Sequence, residues 1–383
     1  MIPRQATRYL AGLPALLFAG SLAAEAQLPS TLAMTAYGTG STGYAQMAAI
    51  GSVLQEEGVS VRIIPGDTDV TRMTPLRNGR VDYCACGIAA YYGSEGVLMF
   101  SGPDWGPQEI RVMITAMGPH GQGVAIAGDI GVETAEDLRG KRVAYVRGAD
   151  ALNLNMEAFL AFGGLTWDDV ERVEFPGYGA AFDGIIANRA DAVHTAPSSS
   201  HARRMEASPR GITWAPMPPD DEEAWERMHS VAPYFQPELV KSGGGINEDN
   251  PWQGSNYPYP IMVADASLEH DKVRPMIRFF IEEHERYKDG APGNTGYALD
   301  YQIMKWVVPF HDAVVEYYEE IGVWTEEMQA HQDHLVHRQQ VLQEAWANYT
   351  GDNPPSDESE FVAGWMEARA AALEAEGMNP VFH

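Results

Sequence analysis

The chain has 383 residues and a formal net charge of −27, from 53 Asp and Glu against 26 Lys and Arg. A surface that acidic repels nucleic acid and anionic lipid, so neither is expected as a partner. The length suits one large or two medium domains with a substantial hydrophobic core, and the two cysteines, Cys84 and Cys86, are too few ligands for a structural zinc site.

Arg4 and Arg8 precede an apolar run from Leu10 to Ala24, and Ala24-Glu25-Ala26 places small residues around a cleavage point. Residues 1–26 therefore read as a secretory signal peptide, with the mature chain starting near Gln27 in the periplasm. The alternative is a membrane anchor. Gly12, Pro14 and Gly20 interrupt the run, and it falls short of the roughly 20 apolar residues a span needs.

Periodicity then predicts a strand over Thr31 to Ala36, a helix over Thr42 to Glu57, a strand over Ser60 to Ile64, a helix over Val70 to Asn78 and a strand over Val81 to Cys86. Such a β-α-β-α-β unit implies parallel strands covered by helices on both faces. A second unit follows: a strand over Arg142 to Val146, a helix over Ala151 to Phe162 capped by Asp150, a strand at Val173 and Phe175, a helix over Ala180 to Asn188 and a strand over Ala192 to His194. Asn78-Gly79-Arg80-Val81-Asp82-Tyr83 and Asn188-Arg189-Ala190-Asp191-Ala192-Val193 echo one another, against a null of chance similarity between generic α/β units. Two strands within Met113 to Ala127, passing through Gly118-Pro119-His120-Gly121, form a hinge, and the Gly- and Asn-rich segment Ser242 to Ser255 is the return crossing. Ile261 to Ala264 reads as a short strand, Asp271 to Lys288 as a long amphipathic helix, and Asn353 to His383 as a peripheral element with one helix. The expected organisation is a first lobe over 27–118, a second lobe over 119–245, a return to the first lobe with helices over 246–350, and a C-terminal helical extension over 351–383.

Each unit aims its strand-to-helix loops at a shared cleft, where ligand sites of open α/β sheets lie. Gly38-Thr39-Gly40-Ser41-Thr42-Gly43 lets backbone approach a ligand and presents free amides at a helix N-terminus. It also matches the dinucleotide fingerprint G-x-G-x-x-G, with Asp67 as a ribose-binding acid, so a nucleotide-binding enzyme is a competing reading. A carboxylate at the same helix end satisfies the same physics, and an exported protein rarely meets a nicotinamide cofactor. Arg147, in the loop Arg147-Gly148-Ala149-Asp150, either grips that carboxylate or pairs at the surface with a neighbouring acid. Tyr178, His194 and Thr195 end the next two strands and are placed to read the rest of a ligand. Strand alternation is taken to set Cys84 and Cys86 on opposite faces, disfavouring a disulfide, so both read as packing residues near the pocket floor. His331, His334 and His337 recur on one helix and read as a solvated face rather than a metal site. Ser198-Ser199-Ser200-His201 lacks a base and an orienting acid at catalytic spacing, so no catalytic residue and no cofactor are expected.

Several phrases resemble the TAXI family of TRAP-transporter solute receptors: Thr35-Ala36-Tyr37-Gly38-Thr39-Gly40-Ser41-Thr42-Gly43-Tyr44, Leu76-Arg77-Asn78-Gly79-Arg80-Val81-Asp82, and Thr134-Ala135-Glu136-Asp137-Leu138-Arg139-Gly140-Lys141-Arg142-Val143. Gly163-Gly164-Leu165-Thr166-Trp167-Asp168-Asp169-Val170, Pro309-Phe310-His311-Asp312-Ala313 and Tyr317-Tyr318-Glu319-Glu320-Ile321-Gly322-Val323-Trp324 extend the resemblance over most of the chain. It implies a type II periplasmic-binding-protein fold of two α/β lobes, a closing cleft, capture of a small organic anion such as a carboxylate or amino acid, and handover to a TRAP membrane permease subunit driven by an ion gradient. The protein is expected to act as a monomer. The resemblance places ligand contacts at Gly40, Ser41, Thr42 and Gly43, with Tyr44 adjoining them. Two loops depart from the family pattern, Arg147-Gly148-Ala149-Asp150 and Cys86-Gly87-Ile88, and both alter the expected pocket lining. A secreted ligand sensor for a receptor kinase is the alternative role.

Overall fold

The structure, a computed structural model, describes residues 27–382; the expected signal peptide lies outside them. The first unit forms as β1 (Thr31–Tyr37), α1 (Thr42–Glu56), β2 (Ser60–Gly66), α2 (Asp69–Arg77) and β3 (Tyr83–Ala85). Then come α3 (Ala89–Glu95) and β4 (Ile110–Ile114). The chain crosses to lobe II with β5 (Gly123–Ala127), and the second unit follows as β6 (Arg142–Val146), α4 (Asp150–Phe162), β7 (Glu171–Phe175), α5 (Tyr178–Ile186) and β8 (Ala192–Thr195). Lobe II is completed by α6 (Ser200–Glu206), β9 (Ile212–Thr213), α7 (Glu222–Val231) and an antiparallel ribbon of β10 (Gln236–Val240) and β11 (Trp252–Asn256). The chain returns through β12 (Met262–Asp265), α8 (His270–Glu282), α9 (His284–Tyr287), α10 (Asp312–Glu320), α11 (Glu326–Gly351) and α12 (Glu358–Ala375).

The two sheets repeat one plan. Lobe I runs β2-β1-β3-β12-β4 and lobe II runs β7-β6-β8-β5-β9. In each, three parallel strands are followed by one antiparallel strand that belongs to a crossing, β12 in lobe I and β5 in lobe II. The expected type II binding-protein fold is thus present, with the carboxyl ends of β1, β2, β6 and β8 facing one cleft, the usual ligand position in such sheets.

Local signals explain the elements nearest the cleft. Ser41 caps α1, its Oγ accepting from the Tyr44 amide at 3.1 Å, and Thr68 caps α2 through a reciprocal pair with Thr71. Asp150, expected as the cap of α4, is instead its first residue: Ala149 is the cap, and the Asp150 carboxylate reaches across the cleft to the Met99 amide at 2.8 Å.

Three further expectations change. The amphipathic helix over Asp271 to Lys288 breaks at Glu283 into α8 and α9. The return crossing lies beyond Ser242 to Ser255, because β11 stays with lobe II: the Met217 amide donates to the Gln253 carbonyl at 2.7 Å and the Gln122 amide to that of Ser255 at 2.7 Å. Cys84 and Cys86 form a disulfide, with Cα atoms 5.2 Å apart. Strand alternation has a period of two, so residues two apart return to the same face, and this Cα separation lies in the range a disulfide needs.

Candidate functional site

A cavity of about 60 Å³ lies between the lobes. Lobe I contributes Tyr37, Gly38, Ser41, Asp67, Asp69, Arg72 and Ile88; lobe II contributes Ala149, Ala151, Leu152, Asn155, Tyr178, His194, Thr195 and Ala196, while Gln122, Tyr257 and Tyr259 come from the crossings. That volume holds a few waters or a small solute, as in a cleft already shut.

Hydrogen bonds across the cleft describe the shut state. The Asp69 amide donates to the Gly148 carbonyl at 3.0 Å, and the Ala151 amide donates to Asp69 Oδ2 at 2.9 Å. On the far side, the Ser200 amide and Oγ both donate to the Gly40 carbonyl, at 3.0 and 2.8 Å, and Thr42 Oγ1 meets Ser198 Oγ at 2.9 Å. His201 Nε2 lies 3.2 Å from the Thr39 carbonyl.

The glycine loop therefore serves the seam more than the cavity. Gly40 has φ +92°, and a Cβ there would stand 2.7 Å from His201 Nε2, so the loop needs a residue without a side chain to let lobe II close on it. Only Gly38 and Ser41 of the loop line the cavity. Gly43 faces the Tyr259 hydroxyl, which accepts its amide hydrogen, and Tyr44 packs on the lobe I core.

Of the other expected contacts, Ala149, Tyr178, His194 and Thr195 line the cavity, and Gly148 offers its carbonyl to Asp69 at the rim. Arg147 does not reach it: its side chain is exposed, and after the hydrogen bond from Arg172 it adds a smaller downward pull on the Glu174 carboxyl of β7, which is the surface alternative. Neither Cys86 nor Gly87 lines the cavity, although the next residue, Ile88, does. A Cβ on Gly87 would fall 2.0 Å from the Tyr37 hydroxyl, so glycine there makes room for the Tyr37 ring.

The cavity's cation is Arg72, which sequence reasoning passed over. It is buried, with its guanidinium 4.1 Å over the Tyr37 ring; Nη1 donates to the Gly66 carbonyl at 3.2 Å, and Nη2 pairs with Asp69. Its Nε has no hydrogen-bond partner. Gln122 Nε2 and His194 Nε2 are also buried and unpartnered, and both residues line the same cavity. Unpaired buried polar atoms are costly, and these three belong to residues that line one cavity.

Burial also sets the protonation states. It pushes the His194 imidazole down to about 3, so the ring is neutral, and it raises Tyr178 to about 12. Burial likewise holds Tyr37, Tyr257 and Tyr259 above the usual phenol range, so all four phenols keep their protons. The Asp69 carboxyl is raised by burial even with Arg72 beside it, and Asp150 is raised by burial and then by Asp69. Among the described residues no group of three or more His, Cys, Asp or Glu is placed to hold a metal ion; His331 faces the Trp306 carbonyl and His337 faces Glu376. No helix among them is long and apolar enough to cross a membrane.

Residues 34–322 match the family described as NMT1-like. No curated protein matches the chain. Among solved structures, the chain is similar to the alkanesulfonate-binding protein SsuA from Xanthomonas axonopodis pv. citri bound to MOPS, at 12% identity and a TM-score of 0.41, over 79% of this chain and 96% of that one. It is similar also to the periplasmic aliphatic sulphonate binding protein SsuA from Escherichia coli, at 13% identity and a TM-score of 0.41, over 91% and 89%. A periplasmic binding protein from Brucella ovis with glutathione bound aligns at 15% identity and a TM-score of 0.42, over 67% and 70%.

Proposed function

The chain belongs to the NMT1-like family, and from that premise we propose that it is an extracytoplasmic solute-binding protein whose two lobes shut on a small organic anion. The observation that carries this reading is that three buried nitrogens without a partner, Arg72 Nε, Gln122 Nε2 and His194 Nε2, belong to residues of lobe I, a crossing and lobe II that all line one cavity. A neutral imidazole, an amide and a guanidinium can all donate, so an acceptor-rich head such as a carboxylate satisfies them together. The four phenols lining the cavity bound the rest of the solute with apolar faces.

The finer role is delivery to a membrane permease of the TRAP type, energised by an ion gradient, with the receptor working as a monomer in the periplasm. The TAXI-like phrases in the glycine loop and near β3 support it. Calorimetric titration with small carboxylates, sulfonates and amino acids is expected to find micromolar or tighter binding, about −8 kcal/mol or better. Binding of a nicotinamide cofactor with none of these anions would overturn the reading. Uptake by the receptor with its permease in proteoliposomes should collapse with an ionophore and need no ATP; the opposite pattern would remove the TRAP assignment.

A further inference from the structure

Helices α11 and α12 lie beyond the residues the family match covers, yet they are built into lobe I. Glu95, at the end of α3, is buried between two arginines of these helices. Arg338 grips it at 2.7 and 2.8 Å, and Arg369, fully buried, pairs with the same carboxylate and donates from Nε to the Glu95 carbonyl at 3.1 Å. Trp365 Nε1 donates to the Gly96 carbonyl at 2.7 Å, and the Phe382 ring packs on Tyr91 and Tyr92 of α3 at 5.4 and 5.7 Å. The extension thus grips α3 at its end and along its tyrosines.

Tyr92 is where α3 meets lobe II. Its hydroxyl lies 3.0 Å from that of Tyr234; Tyr234 donates to Asn155 Oδ1 at 2.7 Å, and Asn155 Nδ2 donates to the Tyr257 hydroxyl at 2.9 Å. The direction of this chain follows from counting protons. Tyr234 has one hydroxyl hydrogen and gives it to Asn155, so Tyr92 must be the donor to Tyr234. Asn155 then presents its amide nitrogen to Tyr257, which accepts there and keeps its own hydrogen uncommitted. Asn155 and Tyr257 both line the cavity.

We infer that the relay Tyr92–Tyr234–Asn155–Tyr257, held by the C-terminal extension, is a closure latch that orients the Tyr257 hydroxyl as a further hydrogen-bond donor to the captured anion. Tyr92, Tyr234 and Asn155 are positioning residues, and the relay is complete only when the lobes are shut. The inference rests on reading the cleft as an anion site.

The test uses Tyr234→Phe, Tyr257→Phe and the double variant of the full mature chain, with a carboxylate that binds the wild type. Each single variant is expected to raise Kd about tenfold, through koff, with kon unchanged. The double variant is expected to lose no more than the worse single variant, because both remove one coupled interaction. Phe382→Ala, which loosens the packing on Tyr92 without touching the relay, is expected to raise koff by a smaller factor. Additive losses, or a Tyr234→Phe variant that binds like wild type, would overturn the inference. If no carboxylate binds the wild type, the solute reading fails on its own, and the latch is read without ligand: fluorescence transfer between labels on the two lobes should show a smaller closed fraction in Tyr92→Phe and Tyr234→Phe, and no change would sink it.

Discussion

Replacing Asp69 by Asn separates two jobs that one carboxylate performs. Asn keeps the size of the side chain and an oxygen for the Ala151 amide, now 2.9 Å from Asp69 Oδ2, but removes the charge opposite Arg72. Arg72 is then left with the Gly66 carbonyl at 3.2 Å and the Tyr37 face at 4.1 Å. Removing one partner of a buried ion pair costs about 3 to 5 kcal/mol, because the other charge stays desolvated. Because the pair sits at the seam, opening the cleft hydrates Arg72 and avoids the cost. The open form should therefore gain about two orders of magnitude over the closed form at the low end of that range. A carboxylate solute replaces the missing charge, so saturating solute should restore closure. Small-angle scattering of the ligand-free variant is expected to show an expanded molecule that contracts when solute is added, whereas the wild type changes less. A ligand-free Asp69→Asn variant as compact as the wild type would refute the claim that this carboxylate holds the lobes together by neutralising Arg72.

The remaining predictions address other parts of the molecule. His120 and His194 are buried neutral, with pKa values pushed to about 4 and about 3, whereas the unfolded chain takes up these protons near 6.5. Each should therefore remove about 1.4 kcal/mol of stability per pH unit as pH falls from 6.5 toward 4, with the raised carboxyls of Asp69 and Asp150 acting in the opposite sense; urea midpoints from pH 7 to 5 should fall, less steeply in His120→Gln. A Cβ on Gly296 would lie 2.1 Å from the Gly118 amide nitrogen of the crossing, and backbone cannot yield as a side chain can, so Gly296→Ala should cost about 1 to 3 kcal/mol in urea unfolding. Because the net charge is −27, stopped-flow association of a carboxylate should speed up as salt screens the repulsion, while koff, set inside the closed cleft, stays nearly constant.

The sheet plan was readable because its signals are local: apolar strands, periodic helices and two echoing units. The glycine loop was read correctly as a strand-to-helix turn, but two of the amides expected to be free there are taken, that of Tyr44 by Ser41 Oγ and that of Gly43 by the Tyr259 hydroxyl. Its partner was not readable, since Ser200 and His201 are more than 150 residues away and only closure brings them to Gly40. Arg72 was missed for a related reason. The helix over Val70 to Asn78 was expected, but a short polar helix does not announce which face it buries, and Asp69 and Arg72 are buried together as an i, i+3 pair. Arg147 was chosen for being basic in a strand-end loop, where nothing in its neighbours fixes whether the side chain turns inward. A usable signal did exist in Tyr257-Pro258-Tyr259-Pro260: two aromatic residues in a proline-bounded crossing stand where both lobes must touch, and both line the cavity.

On the proposed reading, this acidic protein captures an anion with no excess of positive charge at the cavity. Its one arginine is already balanced by Asp69, and its histidine is neutral. What the cavity offers instead is donor hydrogens in a space from which water is displaced when the lobes shut, where each hydrogen bond is stronger than it would be in the open cleft. Affinity then depends on closure rather than on attraction at a distance. On that reading, the seam contacts of Asp69, Gly40 and Tyr234 should bear on binding as directly as the residues lining the cavity.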